Sequence, residues 1–394
     1  MYGTGRIGEI IDSLESIHGQ KVSKLDVDTK LHALTESLGL SVSDFDALIA
    51  MNPPVLRTVK GHAFESFFDA LLRKSGANVK EIGGDNAVDR EVNGFTLQLK
   101  TPNLTGTKNG FVEYKTHKTH GAKSERESID YYHRVSHFAD YLVGLISYKP
   151  LEIIFISQEE LPRTTASSLH IKSPFRVLKE QHPGVNAFHR IGVQHPDQDE
   201  GVFFQAGNEL LPLTAQSIGV SSEIIIDTIM KKDNFRIWDM SIRGFAKEMS
   251  FTQYFASIGI ELKDPKITGR DRFEKADFVF KDGFGYKFIQ MKGVSTNNCS
   301  FDILDPIVAI ETQLTRGRIN DHPTQSRLYL RSDFDYLALA LDPPLVQTCR
   351  KGKFNNTSEF YLIPSDRLMP HKTMGHRFNA IQKFSYSSLQ EFKV

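Results

Sequence analysis

The stretch VDREVNGFTLQLKTP, residues 88–102, carries two short strand patterns around an Asn-Gly pair. Asn93 and Gly94 both tolerate a positive φ, so they predict a two-residue hairpin loop. That register sets Val92 opposite Phe95, Glu91 opposite Thr96, Arg90 opposite Leu97 and Asp89 opposite Gln98. Strand alternation returns Lys100 to the face of Gln98. A carboxylate, an amide and an ammonium then share a face where a core would hold Val or Leu. Two readings stay open: a solvent face steadied by an Asp–Lys cross-strand pair, or a site.

The chain repeats this pattern. GHAFESFFDALLRKSGANVKE (61–81) aligns without gaps on GFAKEMSFTQYFASIGIELKD (244–264), matching Gly61 with Gly244, Glu65 with Glu248, Phe68 with Phe251 and Gly76 with Gly259. Each predicts an amphipathic helix ended by glycine, then an extended apolar segment. Downstream lies KADFVFKDGFGYKFIQMKGVS (275–295), again strand, Gly-rich turn and strand. A four-residue loop at Asp282–Gly285 pairs Lys281 with Tyr286 and brings Asp277 opposite Gln290, with Lys292 two residues on. FADYLVGLI (138–146) echoes DFDYLALAL (333–341), and EIIFISQEEL (152–161) echoes EFYLIPSDRL (359–368). A duplication preserving only a core would not preserve these polar positions. The expected organisation is an N-terminal helical segment (1–58), a first core (59–162), an insert rich in Pro, His and Gln (163–240) and a second core (241–394).

A helix glutamate, a strand aspartate and Gln-x-Lys on the next strand resemble the signature of the PD-(D/E)xK nuclease superfamily, which includes most type II restriction endonucleases. The Gln-x-Lys variant is similar to its Mrr-like branch. The resemblance covers 61–162 and 244–368. It implies an α/β fold with two tandem restriction-endonuclease-like cores, each a mixed central sheet flanked by helices. It further implies Mg²⁺ as cofactor, with Asp89 and Asp277 as primary ligands and Glu65 and Glu248 on or beside the metal. Gln98 and Gln290 would offer side-chain oxygens. Lys100 and Lys292 would orient or activate the attacking water and offset charge on the phosphorane. The chain departs from the pattern in two respects. Val88 and Ala276 stand where the family has proline, and the two glutamines replace an acid, so they bring no charge to a metal.

Partner contacts have candidates beside each hairpin. EYKTHKTHGAKSERES (113–128) carries Lys115, Lys118, Lys123 and Arg126, and TRGRINDHPTQSRLYLR (315–331) carries Arg316 and Arg318. Such loops next to a phosphodiesterase centre suit DNA phosphates, although solvated loops often look the same. Lys+Arg and Asp+Glu are both 48, so any basic surface is local. The two cysteines exclude a disulfide framework and a four-thiolate zinc site, and fit a cytoplasmic protein. No apolar run reaches membrane-spanning length, and no secretory leader pattern opens the sequence. GTGRIG (3–8) lacks the preceding strand that dinucleotide binding needs.

The expected function is sequence-specific, Mg²⁺-dependent endonucleolytic cleavage of double-stranded DNA, of restriction type. One chain with two centres would act as a monomeric pseudo-dimer, or else as a homodimer. A structure-specific repair nuclease and an inactive DNA-binding module are the alternatives.

Overall fold

The computed structural model describes residues 7–82, 87–102, 110–116, 132–196, 207–231, 234, 236–269, 275–283, 285–294, 299–301, 304–313, 328–351 and 358–394. The chain is mixed α/β and divides into two units, Leu56–Thr228 and Met1–Val55 with Ile229–Val394. Helices α1 (Ile7–His18), α2 (Val27–Leu38) and α3 (Val42–Met51) thus group with the C-terminal half instead of standing alone. Asp26 caps α2 by accepting from Thr29 N at 2.8 Å, and Ser41 caps α3 by accepting from Asp44 N at 3.1 Å. Their apolar faces are buried at Leu31, Leu34, Phe45 and Ile49, and α2 and α3 pack on α7 (Arg243–Ser257). Gln253 of α7 reaches Asp44 at 3.4 Å.

In the unit Leu56–Thr228, α4 (Pro53–Lys74) buries Phe64, Phe67, Phe68, Leu71 and Leu72. That i, i+3, i+4, i+7, i+8 stripe makes one apolar face, each large side chain contributing about 1.5–3 kcal/mol on burial. Gly76, at φ 76, stops the helix. The sheet runs β1 (Val79–Glu81), β2 (Arg90–Val92), β3 (Phe95–Lys100), β5 (Tyr141–Tyr148), β6 (Leu151–Ser157). The β2–β3 register is the one that the Asn-Gly turn predicts, with φ of 51 at Asn93 and 90 at Gly94. β3 and β5 are parallel, and β5 and β6 antiparallel. A two-stranded sheet pairs β4 (Phe111–Tyr114) with β7 (Phe175–Leu178). Helices α5 (Pro212–Ile218) and α6 (Ser222–Ile229) follow.

The other unit lines up β8 (Phe278–Asp282), β9 (Gly285–Gly293), β12 (Tyr336–Leu341) and β13 (Glu359–Pro364) in the same order and senses as β2, β3, β5 and β6. Lys281 pairs with Tyr286 as expected, and the pairing runs one step further to Asp282 and Gly285, leaving a two-residue loop. Gly259, at φ 81, stops α7 as Gly76 stops α4. A second sheet holds β10 (Cys299–Ser300), β11 (Ile307–Glu311) and β14 (Ile381–Ser385). Helices α8 (Pro343–Arg350) and α9 (Tyr386–Leu389) complete it.

Small details recur as well. Asp140 accepts from Thr96 N at 2.8 Å, and Asp335 accepts from Phe288 N at 2.8 Å. The bridge Arg163↔Ile171 matches Pro370↔Phe378, and Arg134↔His170 matches Leu330↔Arg377. The likeness therefore continues past residue 162 to β7. Residues 163–178, read from sequence as the start of an insert, end in β7, which pairs with β4 of the first core. Among the described residues no helix is long and apolar enough to cross a membrane.

Candidate functional site

The shared face of the first hairpin is not a solvent face. Gln98 is 4 % exposed and Asp89 half-buried, and the Asp89 charge acts on Glu65 of α4. Asp89 sits just before β2, where its N–H bonds Leu97 O at 2.8 Å. Its Oδ2 accepts the Leu99 N–H at 2.7 Å and the Gln98 side-chain amide. The second hairpin reproduces each contact. Asp277 N–H bonds Ile289 O at 2.8 Å, and Asp277 Oδ2 accepts Met291 N–H at 2.7 Å and the Gln290 amide, with Gln290 4 % exposed. The structure thus brings together all eight sequence-predicted residues as two groups of four. Glu65, Asp89, Gln98 and Lys100 form one; Glu248, Asp277, Gln290 and Lys292 form the other.

The amide of each glutamine suits its place against the aspartate. An acid there would set a second carboxylate against Asp89 Oδ2, whereas the amide donates to it and keeps its carbonyl oxygen for another partner. Burial nevertheless raises the Asp89 and Asp277 carboxyls above the ordinary range. Burial, then the neighbouring aspartate, pushes Glu65 and Glu248 up to about 7. In the second centre burial lowers the Lys292 ammonium, opposed by Asp277, Glu311 and Glu248. Lys292 Nζ lies 3.3 Å from Gln313 O and 3.2 Å from Tyr329 OH.

Among the described residues no cluster of three His, Cys, Asp or Glu side chains is disposed to hold a metal. Each centre instead offers two carboxylates and an amide oxygen. Hard oxygen donors of this kind, few in number, suit Mg²⁺, which keeps several waters. Two desolvated carboxylates, the aspartate raising the pKa of the glutamate, also form an electrostatic deficit that a divalent cation would relieve. The residues fit the ion.

A pH dependence follows for the metal-free protein. In the unfolded chain Glu65 and Glu248 release their protons near the ordinary value of 4.5, in the folded chain near about 7. Between those values the folded state holds more protons, so stability falls as pH rises through the window and levels above it. Thermal unfolding in chelator at pH ~5 and ~7.5 should show this loss, and a Glu65→Gln/Glu248→Gln protein should lack that part of the slope.

Several residues of the sites escaped sequence reasoning. Arg90, 2 % exposed, binds Asp69 at 2.9 Å and Glu65 at 3.3 Å, and Asp69 lies one helical turn beyond Glu65. Phe278 stands in the corresponding place after Asp277 and packs against Phe251. Tyr329 and Glu311 were also missed, since only tertiary contact brings them to Lys292. Asp69 stands one turn after Glu65 and Arg90 directly follows Asp89, but nothing local pairs them. Of the basic candidates, Lys115 is exposed directly after β4. Lys118, Lys123, Arg126, Arg316 and Arg318 lie outside the described residues.

No family model, curated protein or solved structure matches this chain.

Proposed function

We propose that the chain carries two PD-(D/E)xK-like nuclease centres, on tandem restriction-endonuclease-like cores, and cleaves double-stranded DNA with Mg²⁺. The observation that carries this is the pair of hairpins in which Asp and Gln are held by the same hydrogen bonds, each beside a helix Glu and a strand Lys. Bound Mg²⁺ would neutralise a non-bridging phosphate oxygen and sharpen the acidity of a water. The chain's own groups do the rest. Asp89 and Asp277 are fixed at Oδ2 by a backbone N–H and an amide, which orients the carboxylate without a metal. Gln98 and Gln290 present oxygen without charge. Glu65 and Glu248 add a half-buried carboxylate from the helix. Lys100 and Lys292 hold positive charge where a phosphorane would accumulate negative charge, and can orient the attacking water.

A phosphodiester duplex has two strands, and two centres in one chain fit cutting both as a monomeric pseudo-dimer; a homodimer would use them differently. Exposed Lys115 and the basic loops give the chain phosphate-directed cations. Restriction of foreign DNA in the cytoplasm is the setting we favour. Arg90 on Glu65 lends weight to a second reading for the first centre alone, that of a scaffold which binds DNA without cutting.

The test is incubation of supercoiled plasmid and phage DNA with Mg²⁺, with chelator as control, using wild type and Asp89→Asn/Asp277→Asn. Discrete linear fragments from wild type and none from the double variant support the proposal. A fragment smear points to cleavage without sequence preference. Intact DNA together with retained binding would replace the nuclease with a binding module.

A further inference from the structure

We infer that the two centres bind divalent cations unequally, the second more tightly than the first, and that Arg90 and Lys115 set the difference. The inference rests on reading both groups of four as cation sites. It starts from three of the positions at which the two units differ.

The first is the residue after the hairpin aspartate. Arg90 fills it in one unit, with Nη2 3.3 Å from Glu65 Oε2, Nε 2.9 Å from Asp69 Oδ1 and Nη1 2.8 Å from the Asp89 carbonyl. Glu65 Oε1 in turn lies 3.8 Å from His62 Nδ1. Both oxygens of this helix carboxylate therefore face nitrogen. Phe278 fills the position in the other unit, packed against Phe251 and its apolar neighbours. The second difference lies one turn along the helix, where Asp69 is replaced by Thr252, whose hydroxyl turns back to Glu248 O at 2.9 Å. The third follows the strand after the hairpin. Tyr114 pairs with Phe175 and Ile310 with Gln382, and one residue on stand exposed Lys115 and exposed Glu311. The Glu311 charge acts on Lys292.

Arg90 and Lys115 push in the same direction. A cation entering the first centre must share Glu65 with a guanidinium that is already within contact distance, and the strand position that carries Glu311 in the other unit carries a lysine here. A cation entering the second finds Glu248 facing Asp277, with an acid at the place of that lysine. One partly buried ion pair to be displaced supports a difference of about tenfold in affinity. Under limiting metal the second centre fills first.

The experiment titrates the full chain with Mn²⁺ and follows free ion by electron paramagnetic resonance. Wild type should show two classes of site, about tenfold or more apart. Asp277→Asn should remove the tighter class and Asp89→Asn the weaker. Arg90→Phe/Asp69→Thr, which installs the second unit's residues, should draw the weak class toward the tight one. Because that pair alters a buried contact, the exposed swaps Lys115→Glu and Glu311→Lys provide a surface test. They should narrow the gap by about threefold together. Equal affinities in wild type, loss of the tight class in Asp89→Asn, or a gap indifferent to every swap would overturn the inference while leaving two cation sites. Absence of any Mn²⁺ binding would remove the cation-site reading and this inference with it.

Discussion

A Lys292→Ala chain at saturating Mg²⁺ is expected to lose cleavage at the second centre by about 10²–10³-fold, the usual consequence of removing one positioned charge from a developing oxyanion. The ammonium is poorly placed to be a mere surface cation. Burial lowers its pKa while Asp277, Glu311 and Glu248 hold the proton on. The Gln313 carbonyl at 3.3 Å and Tyr329 hydroxyl at 3.2 Å fix its direction, and it lies 5.2 Å from the centre of the Tyr329 ring. Arginine should not rescue it, since a planar fork cannot occupy the place of a compact ammonium. Lys100→Ala should act equally on the first centre. Each single variant should then turn linear plasmid product into nicked circles, and the double variant should leave the supercoil intact. Unchanged linearisation by Lys292→Ala would remove Lys292 from the chemistry, and unchanged linearisation by Lys100→Ala would mark the first centre as a scaffold.

Asp69→Ala should destabilise the unit Leu56–Thr228 by about 3–5 kcal/mol, because it strands a buried guanidinium. The Asp69 and Arg90 side chains are 3 % and 2 % exposed, and their contact at 2.9 Å is the closest that Arg90 makes to a carboxylate. Glu65 at 3.3 Å and Glu81 at 3.7 Å offset only part of the loss. For a unit of this size the change corresponds to a fall of about 6–20 °C in Tm. The other unit already contains the apolar alternative at the same place, Phe278 against Phe251. Asp69→Thr/Arg90→Phe should therefore recover most of the loss, since a buried ion pair can be exchanged for packed apolar groups at little cost. Differential scanning calorimetry of the two variants gives the comparison, and a coupling close to zero in the double-mutant cycle would show that the pair acts independently.

Both hairpin registers were legible locally. Asn-Gly admits two positive φ values, and once the turn is set, period-two alternation carries Asp, Gln and Lys to one face. The two glycine helix stops were legible for the same reason, at φ 76 and 81. The extent of the repeat was only partly legible. Beyond residue 162 the two halves share pairing positions but not side chains: Arg163↔Ile171 corresponds to Pro370↔Phe378 through backbone hydrogen bonds. Backbone pairing tolerates such replacement, so alignment by residue type stops there. The N-terminal helices could be recognised by their caps and apolar spacing, but which unit they join depends on the faces that α7 and α8 leave for them.

The sequence by itself determined the local content of each centre: which turn, which strand face, which helix glutamate, and that the set occurs twice. Those properties follow from dihedral preference and periodicity, which act over a few residues. Tertiary structure alone decided whether that face is buried, which charges surround it and how the two copies differ. Arg90 reaches Asp69 from 21 positions away in sequence, and Lys292 reaches Tyr329 from 37. Burial and Coulomb interactions depend on such distances in space, which no periodicity along the chain encodes.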